Sequence, residues 1–177
     1  MIPMTEKEIG ELLDNALIGR LAMSAQDATP YVIPLPFCRL DGCIYLRVPL
    51  SGRKGDILRT NDRVCFEVDW FTDQLDDYAS VLVEGRLTAV DDLGEKVRVR
   101  AANDEKYNRL RHAWRPGHGR RTPLEQIPTR KIIPICISGR RMEPGLRDAA
   151  AVEPFTGKKR KTNRSRHSDP PYATSSP

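Results

Sequence analysis

The segment Ser51-Gly52-Arg53-Lys54 combines the residue types that bind a phosphate group. It follows an apolar, strand-like run at Cys43–Val48 and leads into a short helix-like run at Lys54–Arg59. The glycine lets a ligand approach the backbone, and the first N–H groups of a helix attract anions. The arginine adds a planar guanidinium and the lysine a compact ammonium. The segment therefore predicts a phosphate site beside a sheet; the alternative is a surface loop that is merely basic.

Other catalytic arrangements have little support in the sequence. The histidines, His112, His118 and His167, lie outside the strand-rich part, so we expect no histidine-based nucleophile triad. Glu67 and Asp69 are expected on the solvated face of a strand rather than as a catalytic carboxylate pair. The cysteines form no Cys-x-x-Cys pair, which argues against a structural zinc site and favours buried free thiols in a reducing compartment. They are Cys38, Cys43, Cys65 and Cys136.

Hydrophobic alternation and turn signals predict six β-strands that position these residues. Asp41-Gly42 is the strongest hairpin signal in the chain. Gly85 and Pro134 each lie inside a strand-like run and predict a bulge, a bend or a sheet edge. The predicted strands are Ile18–Ala25, Tyr31–Leu40, Cys43–Val48, Arg63–Phe71, Ala79–Val90 and Lys131–Ser138.

Two longer helices are predicted besides the short one at Lys54–Arg59. Thr5-Glu6-Lys7-Glu8 is a capping box that predicts a helix over Glu6–Ala16. Asp92–His112 is the second, and Arg115–Pro128 is expected to be irregular. Because strands outnumber helices and hairpin-like links dominate, the predicted fold is mainly β (α+β), a small six-stranded antiparallel barrel with peripheral helices.

The charge distribution divides the chain into two parts. Residues 157–177 contain six lysines and arginines against one aspartate, whereas the preceding 156 residues contain 23 cations and 23 acids. We therefore expect one folded domain at residues 1–142 and a basic, Pro- and Ser-rich, disordered tail at 143–177. Nucleic-acid binding would depend on this tail alone and is not expected. The sequence has no apolar run of membrane-spanning length and no signal-peptide core, so a cytoplasmic protein is expected.

Five pieces of sequence occur in an order and spacing that match a known pattern. They are Ile18–Ala22, Pro30–Pro34, Ile44–Leu46 with Gly52-Arg53-Lys54, Arg63–Asp69 and Ser80–Arg86. Together they resemble the pyridoxamine 5′-phosphate oxidase-related, FMN-binding split β-barrel family, and within it the nitroimidazole-resistance (NimA-like) branch. The resemblance runs from about residue 5 to residue 142.

The resemblance implies a homodimer with two FMN molecules at the subunit interface. It places the flavin phosphate on the Ser51–Lys54 segment and the flavin along Tyr31–Leu35, which offers backbone groups and an apolar wall. Ser80 and Val81 would face the cofactor or the second subunit, and Glu84 is a further candidate. The implied cofactor-binding residues are Val32, Ile33, Pro34, Arg47, Ser51, Gly52, Arg53, Lys54, Ser80 and Val81.

Arg47 departs from the pattern of this branch, in which a histidine often stands at that position. An arginine remains charged and cannot act as a base or a metal ligand. It could pair with the flavin phosphate or ribityl chain, or stabilise an anionic reduced flavin.

The aromatic side chains Tyr45, Phe66, Trp70, Tyr107 and Trp114 are expected to pack in the core or an interface rather than against the flavin. The function implied is an FMN-dependent oxidoreductase that reduces a small acceptor, such as a nitro compound or a quinone. A nicotinamide or a deazaflavin would be the hydride donor. The alternatives are a flavin- or haem-binding module without turnover, and a split barrel that has lost FMN.

Overall fold

The structure is a computed structural model that describes residues 1–74, 76–110 and 122–143. Its strands are β1 (Ile2–Pro3), β2 (Ile18–Ser24), β3 (Pro30–Leu40), β4 (Cys43–Arg47), β5 (Arg63–Phe71), β6 (Tyr78–Ala89) and β7 (Thr129–Arg141). Its helices are α1 (Glu6–Asn15), α2 (Gly52–Thr60) and α3 (Leu93–Leu110), with a 3₁₀ turn at Leu124–Gln126.

Six of the strands close an antiparallel barrel in the order β7-β4-β3-β2-β5-β6, and β6 pairs back onto β7. This confirms the predicted mainly β fold and all six predicted strands. The seventh strand, β1, pairs with the end of β7, where Ile2 lies opposite Arg141. A strand of two residues has no measurable periodicity, so no sequence pattern predicts it.

The predicted hairpin and bulge are both present. Asp41 and Gly42 have φ angles of 50° and 75°, which both central residues of a type I′ turn require. The register of β6 and β7 shifts between Glu84 and Gly85, so that Ile135 has no residue opposite it. A side chain at Gly85 would place its Cβ 2.3 Å from the carbonyl oxygen of Ile133, so the bulge requires glycine there.

A continuous apolar core fills the barrel and extends under α1 and α2. Phe37 and Phe66, both fully buried, meet edge to face with their ring centroids 4.9 Å apart. Leu13 of α1 and Ile57 of α2 belong to the same core, and Trp70 packs against its edge. The core positions predicted for Phe66 and Trp70 are therefore confirmed.

Helix α3 covers the outside of the barrel through a smaller cluster. Cys38 and Tyr45 pack there against Val99. The hydroxyl of Tyr107 accepts a hydrogen bond from the Phe37 backbone N–H at 2.9 Å and donates to the Leu17 carbonyl at 2.7 Å. The packing roles predicted for Tyr45 and Tyr107 are confirmed.

Several expectations fall on residues outside the described ranges. They concern Trp114, the three histidines, most of the segment after α3 and the basic tail. Within the described ranges, no helix has both the length and the apolar character needed to cross a membrane.

Candidate functional site

The candidate phosphate segment forms the first turn of helix α2. The helix begins at Gly52, two residues before the predicted start at Lys54, so Arg53 belongs to the first turn rather than to a preceding loop. Gly52 has a φ of 64°, a left-handed conformation that strains any residue with a side chain, and its α-carbon faces open space. The chain therefore enters α2 through a sharp turn whose outer side is open to a ligand.

The N-terminus of α2 is open, whereas that of α1 is closed by its own side chains. In α1 the Thr5 hydroxyl accepts from the Glu8 N–H, and the Glu8 carboxylate accepts from the Thr5 N–H at 2.7 Å. In α2 the corresponding residue, Ser51, makes no side-chain cap, and the first turn contains no acid. The first N–H groups of α2 are thus available to an external anion.

Close packing fixes the loop that precedes α2. A Cβ at the buried Gly55 would lie 2.4 Å from the carbonyl oxygen of Leu50, so only glycine lets the helix lie directly against this loop. Arg59 donates to the same carbonyl at 3.0 Å and pairs with Asp56 at 2.6 Å. The packing role of Gly55 is not predicted from the sequence, although a second glycine three residues after Gly52 is a possible signal for it.

The two cations of the first turn have different neighbours. The guanidinium carbon of Arg53 is 4.9 Å from the centroid of the Tyr31 ring. Lys54 is half-buried, and its ammonium donates to the Ser51 carbonyl at 3.2 Å. The structure thus brings Arg53 next to the strand that carries Val32, whereas Lys54 stays on its own turn.

Strand β3 also presents an exposed outer face. Val32 is 53% exposed and Pro34 is also exposed, whereas Ile33 packs against the barrel core. Of these three residues, only Val32 and Pro34 therefore offer outward side chains.

On β2, Arg20 lies opposite Pro34. Its Nη1 donates to Glu67 at 2.8 Å and to Asp69 at 2.7 Å. The two carboxylates lie on the outer side of β5, as predicted, and are half-buried there. Their shared ion pair with Arg20 is not predicted from the sequence.

Ser80 and Val81 lie elsewhere on the barrel. Strand β6 is separated from β3 by β2 and β5, so it does not adjoin the α2 turn within one subunit. The Val81 side chain is fully buried in the core, whereas Ser80 is half-buried and Glu84 is exposed. A ligand could therefore reach the side chain of Ser80 or Glu84 but not that of Val81.

Arg47 ends β4, and its side chain lines a cavity of about 230 Å³ between the barrel and α3. The cavity also contains Pro36 of β3 and Thr129 of β7, which lies opposite Arg47 in the sheet. The side chain of Arg47 thus lies on the side of the barrel that α3 covers. In the sequence, Arg47 precedes the α2 turn by a few residues.

The buried titratable groups near this cavity are held in their protonated forms. The Tyr45 hydroxyl donates to Glu95 at 2.7 Å, and burial together with this bond raises the pKa of Tyr45 well above its usual range. Lys131 lies 2.8 Å from the same carboxylate and, with Tyr45, lowers the pKa of Glu95. Burial raises the pKa of Cys38 to about 11. Neither Tyr45 nor Cys38 is therefore a ready base or nucleophile near neutral pH.

All four cysteines are free, but they differ in burial. Cys38 is buried, Cys43 and Cys65 are half-buried, and Cys136 is exposed on β7. The expectation of buried thiols is thus wrong for Cys136, because β7 leaves its outer side uncovered beyond the bulge. In the described part of the chain, no three histidine, cysteine, aspartate or glutamate side chains are arranged to bind a metal ion.

The sequence profile described as pyridoxamine 5′-phosphate oxidase matches residues 5–141. No curated protein matches the chain closely enough to count as a relative. Among solved structures, a FAD-binding protein from Mesorhizobium loti is 29% identical, with 80% of this chain and 98% of that chain covered and a TM-score of 0.58.

Two more distant structures share the fold. A candidate 5-nitroimidazole antibiotic resistance protein from Bacteroides thetaiotaomicron is 18% identical, with 78% and 85% of the two chains covered and a TM-score of 0.61. A heme-binding protein from Mycobacterium smegmatis is 14% identical, with 80% and 58% covered and a TM-score of 0.58. The profile match over most of the sequence, together with the shared barrel, shows that this chain belongs to the pyridoxamine 5′-phosphate oxidase family.

Proposed function

We propose that the protein binds FMN and acts as a flavin-dependent oxidoreductase on a small organic acceptor. The observation that carries the proposal is the open N-terminus of α2, which combines free N–H groups with Arg53 and Lys54 and no acid in its first turn. Charge-assisted bonds from such groups suit a phosphate monoester. The Mesorhizobium loti structure is named as FAD-binding, which supports a flavin as the bearer of this phosphate.

The neighbouring strand β3 supports an orientation in which the flavin ring system extends from the α2 turn along this strand. Arg53 contacts Tyr31, and the exposed Val32 and Pro34 follow on the outer side of β3. A flavin phosphate on the α2 turn would leave the ring system free to lie against this apolar wall. When bound, the flavin would supply the hydride or electron transfer, and the chain would supply the grip and the orientation.

The titratable side chains of the α3 cavity, which Arg47 also lines, favour binding over proton transfer. Arg47 remains charged at every physiological pH, and the buried Tyr45 and Cys38 retain their protons. Redox chemistry on a bound flavin is compatible with this composition because the cofactor carries the reactive atoms.

A homodimer is part of the proposal. Strands β6 and β7 expose apolar side chains that a monomer rarely leaves in water. They are Leu82, Ile133, Ile135 and Ile137, and Ile135 is 67% exposed. A second subunit on this surface would bury them, and its Ser80 and Glu84 would then lie at the interface.

The phosphate grip is tested by the double variant Arg53→Ala/Lys54→Ala. Each charged hydrogen bond is worth about 1.5–3 kcal/mol, so FMN affinity should fall at least tenfold. Quenching of FMN fluorescence gives the dissociation constant. The double variant Lys7→Ala/Arg98→Ala is the matched control, because it removes the same charge from exposed positions on α1 and α3. Equal FMN affinity in wild type and the Arg53/Lys54 variant would reject this site.

The oxidoreductase activity is tested on the FMN-loaded protein under anaerobic conditions. We expect the flavin absorption to be lost on addition of a reduced nicotinamide or a reduced deazaflavin. It should return on addition of a nitro compound or a quinone. A flavin that dithionite reduces but neither donor reduces would instead favour a storage or sensing module. A Soret band in the purified protein would favour haem.

A further inference from the structure

The cavity between α3 and the barrel is chemically distinct from the α2 turn. It measures about 230 Å³, and Arg47 is the one residue that it shares with the implied cofactor-binding set. Three cations, Arg47, Lys96 and Arg100, line it, against one acid, Asp104. Among the described lining residues, positive charge therefore exceeds negative charge.

Lys96 is the strongest sign that the cavity takes an anion. Its side chain projects from α3, the residue is only 8% exposed, and its ammonium donates to the neutral carbonyl of Glu125 at 3.2 Å. Among the described residues, no carboxylate lies within ion-pair distance of this ammonium. A buried charge without a counter-ion is costly, and an anionic ligand in the cavity would offset that cost.

Arg100 extends the basic surface one helical turn beyond Lys96. Its nearest acid is Asp104, at 3.9 Å in a single contact, which leaves most of the guanidinium free for a second partner. A guanidinium and an ammonium on one wall match the two oxygens of a carboxylate.

The rest of the lining combines the polar side chains of Asn103, Asn108 and Thr129 with apolar surface. Val99, Leu124 and Ile127 contribute the aliphatic surface, and the Tyr107 hydroxyl is engaged with the backbone of Leu17 and Phe37. At about 230 Å³, the cavity is smaller than the ~300–1,000 Å³ of sites for drug-sized ligands. Its occupant would be small, with an apolar body and one acidic group.

We propose that this cavity binds a small organic carboxylate, with the acid group on Lys96 and Arg100 and with Arg47 at its edge. This ligand is distinct from the flavin, and its binding does not require the flavin. Since Arg47 belongs to both proposals, a variant of Arg100 is needed to test carboxylate binding separately from flavin binding.

Calorimetric titration with benzoate and with benzamide, its neutral counterpart of nearly equal shape, tests the proposal. Benzoate should bind the wild-type protein at least tenfold more tightly than benzamide. Arg100→Gln should weaken benzoate binding at least tenfold and leave benzamide binding unchanged. Arg98→Gln is the matched control, because Arg98 lies on the same helix but pairs with Asp41 at the surface. Circular dichroism establishes that both variants are folded.

Three results would overturn the proposal. One is the absence of benzoate binding at about 10 mM, and the second is benzoate affinity that is equal in wild type and the Arg100→Gln variant. The third is competition between benzoate and FMN together with loss of FMN affinity in the Arg100→Gln variant, since the cavity would then be the flavin site. Unchanged FMN affinity in that variant supports two separate ligands. Failure of the Arg53/Lys54 prediction alone would leave the carboxylate proposal intact.

Discussion

Lys106 shows how a charged residue can serve as a core residue. It is 7% exposed, its ammonium donates to the Leu13 carbonyl at 2.9 Å, and it lies 3.5 Å from the centroid of the Phe37 ring. Burial lowers the pKa of Lys106 to about 8. The residue joins α3 to α1 and to β3, at a position where the sequence indicated only a charged helical face.

The shifted pKa of Lys106 predicts a specific pH dependence of stability. Between about pH 8 and the ordinary pKa of 10.5, the unfolded chain holds a proton that the folded protein has lost, so stability increases with pH there. The slope is at most about 1.4 kcal/mol per pH unit. In Lys106→Met this contribution is absent. Urea unfolding of both proteins between pH 7.5 and 9 measures it.

A thiol that acts in the opposite direction begins to titrate at the upper end of this range. The pKa of Cys38 is raised to about 11 from its ordinary 9.0, so this thiol lowers stability as pH increases above 9. Lys7→Met, at an exposed position on α1, is the control and should follow the wild-type curve. If the difference in unfolding free energy between wild type and Lys106→Met were constant with pH, the assigned role of Lys106 would be wrong.

Helix α2 connects local packing to the proposed phosphate site. Its open N-terminus is useful only if the turn that carries Arg53 and Lys54 is held in place, and Gly55 allows this by lying against Leu50. The element thus depends on a residue that makes no contact with the proposed ligand.

The variant Gly55→Ala should reduce both stability and FMN affinity. Its Cβ would lie 2.4 Å from the Leu50 carbonyl oxygen, so the loop or the helix must move. We expect a destabilisation of about 1–3 kcal/mol and a several-fold loss of FMN affinity, measured by urea unfolding and fluorescence quenching. The control is Gly94→Ala, near the start of α3. A Cβ at this position would meet only the Asp92 side chain, so this variant should have little effect on stability or FMN affinity. Equal behaviour of the two variants would contradict the packing role of Gly55.

The elements were predictable where a local rule determines them. The Thr5 capping box predicts the start of α1, and the Asp41-Gly42 turn predicts the β3–β4 hairpin; both are confirmed. The anchoring of α3 was not predictable, because Lys96 and Lys106 look like solvated charges until backbone carbonyls from distant segments surround them. The predicted start of α2, at Lys54, is two residues later than the observed start at Gly52, because a left-handed glycine leaves no periodic signal.

At the scale of the whole molecule, the barrel has one side that its own helices leave open. Helix α3 covers β3 and β4, whereas β6 and β7 expose a group of apolar side chains around Ile135. Strand order was not deducible from local patterns, because the long-range β6–β7 pairing that closes the barrel depends on the complete set of strands.

The proposed dimer predicts that Ile135→Glu shifts the protein from dimer to monomer. A charge in the centre of an apolar interface is strongly unfavourable, whereas at the exposed bulge of a monomer it costs little. Sedimentation velocity measures the change, and Val97→Glu is the control because Val97 is an exposed apolar residue on α3. A wild-type monomer, or an Ile135→Glu dimer as stable as wild type, would exclude this surface as the interface.

The central claim is that the α2 turn makes this barrel a flavin-binding protein. The most direct test is the absorption spectrum of the purified wild-type protein, recorded before and after addition of FMN and removal of unbound ligand. We expect flavin absorption bands that stay with the protein and are shifted from those of free FMN. A featureless spectrum after incubation with FMN would contradict it, and the family fold would then stand without the proposed cofactor.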